Sequence, residues 1–233
     1  MKIMLNQNNN YLNLINDINS LPKNDIDFSK KICKTKYDVL GLSMPSLKSL
    51  AKKYSSLNIN EIELDKYFEF NYLYIYIGLL QLKTLEEQIS FLFENIDHVD
   101  SWAITDTTYQ LLCKIDFNSS LLLIKSLLSS KKEFLIRYGY LYLFNFKKDK
   151  KNLNEILKLL KNSKYYYVKM VEAWLICELF IFNQNEMFLF IKESSLDNEI
   201  KLKAISKICD SFRVDETIKK ELKKLRTNLK ERC

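Results

Sequence analysis

Glycine and proline are scarce in this sequence. Its 233 residues include only three glycines and two prolines. β-Sandwiches, barrels and Rossmann folds need many more of these residues at their turns and phosphate loops, so these classes are excluded. A disordered chain is also excluded, because 47% of the residues are hydrophobic and 28% are charged, which suffices for a full core. What remains is a set of helices joined by short polar loops.

Histidine and paired cysteines are missing as well. His98 is the only histidine, so neither a histidine-based catalytic triad nor a histidine-rich metal site can be assembled. With Asp97 and Asp100 beside it, we interpret His98 as part of a helix cap. The five cysteines are odd in number, lie far apart and lack the spacing of zinc ligands, and no glycine-rich nucleotide loop is present. We therefore expect reduced cysteines, no metal and no cofactor.

Long hydrophobic runs are absent too. The most continuous run, YLYIYIGLLQL at 72–82, is much shorter than the ~20 residues that span a membrane, and we interpret it as a buried helix. The N-terminal sequence lacks the apolar core of a signal peptide. These features predict a cytoplasmic protein that does not contact membranes. The net charge of +7 is compatible with a polyanionic partner, although many basic proteins bind none.

A repeat of 32 residues is present in the sequence. Ile104, Ile136, Val168 and Ile200 follow one another at this interval, and apolar pairs follow the first three after seven and eight positions. Such positions are two helical turns apart, so each segment is predicted to be a helix with one buried stripe. Shorter helical patterns lie between these segments, at 84–96, 116–128, 150–160 and 183–193. Each repeat is therefore a helical hairpin, and such hairpins must stack to bury their apolar stripes.

The stacking of hairpins predicts an all-α fold, namely a right-handed α–α superhelix, or solenoid, of HEAT-like repeats with a concave inner face. We expect a single domain over residues 1–233. Less regular helices occupy about 1–82, with candidates at 9–20, 26–36, 45–55, 60–69 and 70–82. Regular repeats occupy about 84–210, and a charged capping helix occupies about 214–233.

Aromatic, charged and polar residues share one stripe of each second helix, nearly opposite the apolar anchor. Counted from the anchor, this stripe comprises positions −2, +1, +2, +5 and +6. The first three repeats place there Trp102, Thr105, Asp106, Tyr109 and Gln110; Phe134, Arg137, Tyr138, Leu141 and Tyr142; and Tyr166, Lys169, Met170, Ala173 and Trp174. Packing against a neighbouring helix would explain the aromatic residues, but charged residues are poor core residues unless they are paired. We therefore favour exposure of this stripe on the concave face.

Four segments carry motifs that occur together in one known family. GLSMPSLKSLAKKY (41–54) has the pattern G-x-x-x-P-x-x-K-x-L, and DHVDSWAITD (97–106) has the pattern W-x-x-x-D. KEFLIRYGYLYLF (132–144) contains an arginine, and YYYVKMVEAWLICELF (165–180) contains the second tryptophan. In their order and spacing, these segments resemble the DNA alkylation repair enzymes, the AlkD-like N-glycosylases built from HEAT-like repeats. The resemblance covers most of the chain and extends to ISKICDSFRV (205–214).

The resemblance implies a monofunctional DNA N-glycosylase of base-excision repair. Such an enzyme excises cationic alkylated purines, of the 3-methyladenine and 7-methylguanine type, from duplex DNA. The implied site residues are Trp102, Asp106, Arg137 and Trp174. The carboxylate of Asp106 suits stabilisation of a developing sugar cation and placement of a water molecule. The tryptophan rings suit contact with the sugar or the cationic base, and Arg137 suits a bidentate grip on a phosphate.

The resemblance also implies a wider contact with alkylated double-stranded DNA. We expect the basic residues Lys48, Lys52, Lys169, Lys201 and Arg213 to hold its backbone as a set. The expected protein is a monomer without an obligate protein partner, cytoplasmic and nucleoid-associated in a bacterial-type cell. Two alternatives remain open, a catalytically silent HEAT-like module that binds nucleic acid through the same stripe and a protein-binding scaffold. Release of base from alkylated duplex DNA separates the enzyme from both.

Overall fold

The computed structural model describes residues 2–231 and the side chains of residues 9–231. In this range the chain forms α-helices and short 3-10 turns, without a β-strand, so the all-α prediction is confirmed. The α-helices are α1 (Lys2–Ser20), α2 (Ile26–Cys33), α3 (Met44–Lys53), α4 (Phe68–Gln81), α5 (Leu85–Asn95), α6 (Trp102–Thr108), α7 (Phe117–Leu128), α8 (Glu133–Leu143), α9 (Leu153–Leu159), α10 (Tyr166–Phe182), α11 (Gln184–Glu193), α12 (Asn198–Asp210) and α13 (Glu216–Lys230). Residues 232 and 233, the last two positions of the predicted helix 214–233, lie outside the described residues.

Residues 1–114 form the first of two compact groups of helices, and residues 115–233 form the second. In the first group, α3, α5 and α6 pack against α4. Every residue from 68 to 79 is buried, which confirms the interpretation of the apolar run as a buried helix. Gly78 lets α5 approach α4 closely, because a Cβ atom at this position would lie 2.3 Å from the ring of Phe91. The first group is therefore built around α4.

The second group shows the predicted stacking of hairpins. Helices α8, α10 and α12 pack side by side in chain order, with α7 against α8, α11 against α10 and α13 against α12. This is the arrangement of an α-solenoid. Among the four predicted anchors, Ile104, Val168 and Ile200 are buried and Ile136 is partly exposed. The 32-residue register thus identifies the second helix of each hairpin. The right-handedness of the solenoid, its concave face and a single domain over residues 1–233 stay predictions.

Short polar side chains cap the N-termini of α5 and α7, the first helices of two hairpins. The Thr84 hydroxyl accepts a hydrogen bond from the backbone N–H of Glu87, whose side chain in turn accepts from the Thr84 N–H. Asp116 accepts from the N–H of Ser119 at the start of α7 in the same way. These bonds satisfy N–H groups that a helix leaves unpaired in its first turn. In residues 2–231, no helix has the length and hydrophobicity needed to cross a membrane.

The N-terminal third differs from the prediction in two places. Helix α2 ends at Cys33 rather than at residue 36, because Lys34 adopts the left-handed conformation with φ at 54°. The predicted helix at 60–69 is wrong, since only a 3-10 turn at Ile59–Glu61 forms before an irregular segment that leads to α4 at Phe68. That segment is held by tertiary pairing, in which the N–H of Phe68 donates to the carbonyl oxygen of Asp38 at 2.8 Å. Apolar spacing alone does not distinguish such a segment from a helix.

The turn between α2 and α3 depends on Gly41 and on a buried carboxylate. Gly41 has φ at +82°, and a Cβ atom there would lie 2.7 Å from the carbonyl oxygen of Asn24. The fully buried carboxylate of Glu69, on α4, accepts backbone N–H groups of Leu40, Gly41 and Leu42 at 2.9, 2.9 and 3.3 Å. Three charge-assisted bonds therefore tie this turn to the central helix.

Candidate functional site

The start of α6 is tied to the end of α2. Ser101 is the N-cap of α6, and its hydroxyl oxygen accepts from the backbone N–H of Ala103 at 3.2 Å. The same hydroxyl, fully buried, donates its proton to the carbonyl oxygen of Cys33. The Trp102 indole Nε1–H donates to the carbonyl oxygen of Ile32 at 3.2 Å. These two carbonyls belong to the last turn of α2. The hydrogen bonds from Ser101 and Trp102 therefore satisfy acceptors that a helix end leaves unpaired.

Asp106 lies one helical turn after Trp102 and is partly buried. The hydroxyl of Thr105, itself fully buried, lies 3.2 Å from Asp106 Oδ1 and 2.9 Å from the carbonyl oxygen of Trp102. The one hydroxyl proton can be donated to only one of these acceptors at a time. A fixed hydroxyl thus lies beside a carboxylate that keeps access to solvent. Such a carboxylate can stabilise a positive charge that develops next to it.

Asp100 joins the segment before α6 to the turn after α2. Its carboxylate accepts from the Thr35 hydroxyl at 2.8 and 2.9 Å and from the Lys36 backbone N–H at 2.7 Å. Burial raises the pKa of Asp100, and the bonds from Lys36 and Thr35 offset part of that rise. His98 has a different partner, since its Nδ1 lies 2.9 Å from Asp65. The interpretation of His98 as part of a cap for α6 is therefore wrong, and Ser101 serves as the cap.

Arg137 and Trp174 belong to the second group of helices. Arg137, on α8, is only 4% exposed, and its guanidinium donates to the carbonyl oxygen of Tyr167. Trp174, on α10, is partly exposed and packs edge-to-face against Phe144, with ring centroids 4.7 Å apart. Arg137 is thus a largely buried charge, while Trp174 presents part of its ring to solvent.

The predicted exposed stripe is exposed on some helices and buried on another. On α6, Trp102 and Asp106 are partly exposed, which agrees with the prediction, whereas Thr105 on the same stripe is fully buried. On α8, Tyr138, Leu141 and Tyr142 are buried, so exposure of the stripe is wrong for this helix. The reason is that helical spacing identifies residues on a common face but not what packs on that face.

The five predicted DNA-binding residues have different surroundings. Lys48 and Lys52, on α3, are exposed and form no ion pair within the part of the chain that the structure describes. Lys169 pairs with Glu199 at 2.5 Å, and Arg213 pairs with the buried carboxylate of Glu178 at 2.7 Å. The fifth, Lys201, is 5% exposed and donates to the Ser194 carbonyl oxygen, and burial lowers its pKa.

Comparison with known proteins identifies the family. The sequence pattern of the DNA alkylation repair enzymes matches residues 20–208, which is most of the chain. This protein belongs to the DNA alkylation repair enzyme family. No curated protein matches the sequence in a direct comparison. As a DNA alkylation repair enzyme, the protein has a role in the repair of alkylated DNA. The matched range contains Trp102, Asp106, Arg137 and Trp174, whereas Arg213 lies beyond it.

Several residues of this repair enzyme gain their roles only in the folded chain. Asp100 and Ser101 are examples, because their hydrogen-bond partners lie more than 60 positions away in the sequence. Thr105 is another, because the geometry of α6 brings its hydroxyl to the carboxylate of Asp106. Glu172 is another, as a fully buried carboxyl group whose Oε1 accepts from the Lys161 N–H at 3.1 Å. Burial raises the pKa of Glu172 to about 7. Among the described residues, no cluster of three or more metal-binding side chains is present.

Proposed function

We propose that this protein is a DNA N-glycosylase that releases cationic alkylated purines, of the 3-methyladenine and 7-methylguanine type, from duplex DNA. One observation carries the proposal. The Asp106 carboxylate lies beside the fixed hydroxyl of Thr105. One turn earlier on the same helix is Trp102, whose indole N–H donates a hydrogen bond to α2. Membership of the DNA alkylation repair enzymes supports alkylated DNA as the substrate.

The proposed reaction breaks the bond between C1′ of the deoxyribose and the purine nitrogen. The electron pair of that bond moves onto the purine and neutralises its positive charge, so the leaving base needs no acid. Positive charge develops on the sugar, and Asp106 stabilises it electrostatically. Water then adds to C1′ and loses one proton to Asp106 or to solvent. The products are a free neutral base and an abasic site.

The aromatic residues are proposed to bind rather than to transfer protons. The ring of Trp102 precedes Asp106 by one turn, and an aromatic face there attracts a cationic base or sugar, by about 1–2 kcal/mol when water is excluded. Trp174 offers a second partly exposed ring in residues 115–233. Because Arg137 is only 4% exposed, its replacement is expected to lower stability as well as affinity for DNA.

The backbone of the duplex is proposed to contact the lysines of α3. Lys48 and Lys52 lie one turn apart and are both exposed, so they can neutralise neighbouring phosphates. Lys169 and Arg213 already neutralise Glu199 and Glu178, which reduces what they can add. Lys201 is not expected to contact the duplex, since this lysine is buried and its ammonium group donates to the Ser194 carbonyl oxygen.

The test is release of base from a duplex that carries a single 7-methylguanine. The native protein is expected to release free base and leave an abasic site, and Asp106→Asn is expected to lose about 10²- to 10⁴-fold in rate. The matched control is Asp210→Asn, which makes the same chemical change at the exposed end of α12. Absence of release by the native protein would contradict the proposal. Salt-dependent duplex binding without release would then support the catalytically silent alternative.

A further inference from the structure

Helix α2 presents large apolar side chains to solvent. Phe28 is 61% exposed and Ile32 is 44% exposed. They lie four positions apart and therefore share one face of the helix. Single exposed apolar residues are common on protein surfaces, whereas Phe28 and Ile32 lie side by side and form a small apolar patch.

A groove of about 290 Å³ opens beside this patch, between α2 and the start of α3. Its walls are mostly apolar, and they include Phe28, Ile32, Val39, Leu42, Met44 and Pro45. The far wall is fixed, because the turn that carries Leu42 is bonded to the buried Glu69. A planar apolar group that stacks on Phe28 would thus meet a second apolar wall without any rearrangement of the turn.

Helix α2, which carries the patch, contacts the candidate site within residues 1–114. The carbonyl oxygen of Ile32 accepts the indole N–H of Trp102 at 3.2 Å. The next carbonyl, that of Cys33, accepts the hydroxyl proton of Ser101 at the start of α6. The helix that exposes Phe28 therefore ends in contact with the residues that precede Asp106. A ligand that contacts Trp102 is therefore close to the helix that carries this patch.

The charge around the patch favours a polyanion. Residues 23–38 contain five lysines and three aspartates; Asp25 caps α2, and Asp38 pairs with Lys30 at 3.5 Å. Lys31 is exposed one turn after Phe28, and Lys34 is exposed just beyond the helix. Neither lysine forms an ion pair in the part of the chain that the structure describes. Aromatic surface flanked by lysines is the combination that binds unstacked bases and their phosphates.

We propose that the Phe28–Ile32 face of α2 is a stacking surface for an unstacked nucleobase of the bound DNA, next to the damaged nucleotide. The inference rests on the proposed function only in taking DNA as the substrate. The base stacks on the ring of Phe28, Ile32 and Pro45 complete an apolar contact, and Lys31 neutralises an adjacent phosphate. Loss of stacking at the lesion supplies the unpaired base, either on the opposite strand or next to the lesion.

The test compares Phe28→Ala and Phe28→Trp in the full chain. The matched control is Leu12→Ala, which removes a side chain of α1 that is 58% exposed. The probes are duplexes with a stable abasic analogue and 2-aminopurine placed either opposite it or beside it. We expect native protein and Phe28→Trp to change the 2-aminopurine fluorescence at one of the two positions. We expect Phe28→Ala to abolish that change and to weaken binding by about 5- to 100-fold.

The outcomes separate this inference from the proposed function. Equal binding and fluorescence for native protein, Phe28→Ala and Leu12→Ala would overturn the stacking surface, while base release tests the glycosylase independently. A native dimer that Phe28→Ala converts to a monomer would also overturn it, since the patch would then bind a second copy. If Asp210→Asn lost base release as much as Asp106→Asn, the catalytic role of Asp106 would be contradicted, while the stacking surface would be unaffected. Thermal unfolding of each variant confirms that the exposed substitution leaves the fold intact.

Discussion

The buried carboxyl group of Glu172 makes stability depend on pH in a defined direction. Glu172 is fully buried in α10, its Oε1 accepts one backbone N–H, and its Oε2 has no hydrogen-bond partner among the described residues. Burial raises its pKa from 4.5 to about 7, although contacts with Tyr140 and Lys161 offset part of the rise. The proposed perturbation is Glu172→Gln, which keeps the shape and the acceptor oxygen and removes the ionisable group.

The sign follows from where the proton is held. Between about pH 4.5 and 7 the unfolded chain has lost the Glu172 proton while the folded chain keeps it. The folded state therefore binds more protons, and the free energy of unfolding falls as pH rises through this window. A rise of the Glu172 pKa from 4.5 to about 7 lowers the free energy of unfolding by about 3 kcal/mol in total across this window. Above pH 7 both states are ionised, and this contribution stays constant.

The assay is urea unfolding of native protein and Glu172→Gln at several pH values from 4.5 to 8. We expect similar stability at pH 4.5 and an advantage of about 3 kcal/mol for Glu172→Gln at pH 8. The matched control is Glu221→Gln, at an exposed position of α13, which should change stability by less than about 0.5 kcal/mol at every pH. Parallel stability curves for native protein and Glu172→Gln across this range would refute the reasoning.

Three further outcomes follow from contacts in the structure. Gly41→Ala should destabilise the protein by about 1–3 kcal/mol in thermal or urea unfolding, because φ is +82° and the new Cβ would meet a carbonyl oxygen; unchanged stability would contradict this. Ser101→Ala should cost about 1–3 kcal/mol in the same assays, since a buried hydroxyl that caps α6 and bonds to α2 is lost. Lys52→Ala should lower the slope of log affinity for duplex DNA against log salt by about 1, whereas Arg213→Ala should change it less; equal effects on the salt slope would contradict the assignment of Lys52 to phosphate contact.

Much of the fold could be predicted from the spacing of apolar residues. The 32-residue interval found the anchors of α6, α10 and α12, because each repeat buries the same face of its second helix. The irregular segment before α4 could not be found in this way. Its structure depends on a backbone bond to Asp38, about 30 positions earlier, and on the buried Glu69 that closes the turn at Gly41. Local spacing carries no information on such distant partners.

The candidate site could be predicted only in part. The four-residue interval between Trp102 and Asp106 places them one turn apart on α6, and this was readable from the sequence. The hydrogen bond from Trp102 to α2 could not be predicted from the sequence, because it joins residues 70 positions apart. Exposure of the stripe on α8 was predicted wrongly, since Tyr138 and Tyr142 are buried by neighbouring structure that helical periodicity does not reveal.

The central claim is that Asp106 acts in the chemical step. The most direct measurement is the single-turnover rate of 7-methylguanine release at protein concentrations that saturate the duplex, for native protein and Asp106→Asn. We expect a rate about 10²- to 10⁴-fold lower for Asp106→Asn. The dissociation constant for the duplex should be the same or slightly lower, because a negative charge near the DNA has been removed. Equal single-turnover rates for the two proteins would contradict it.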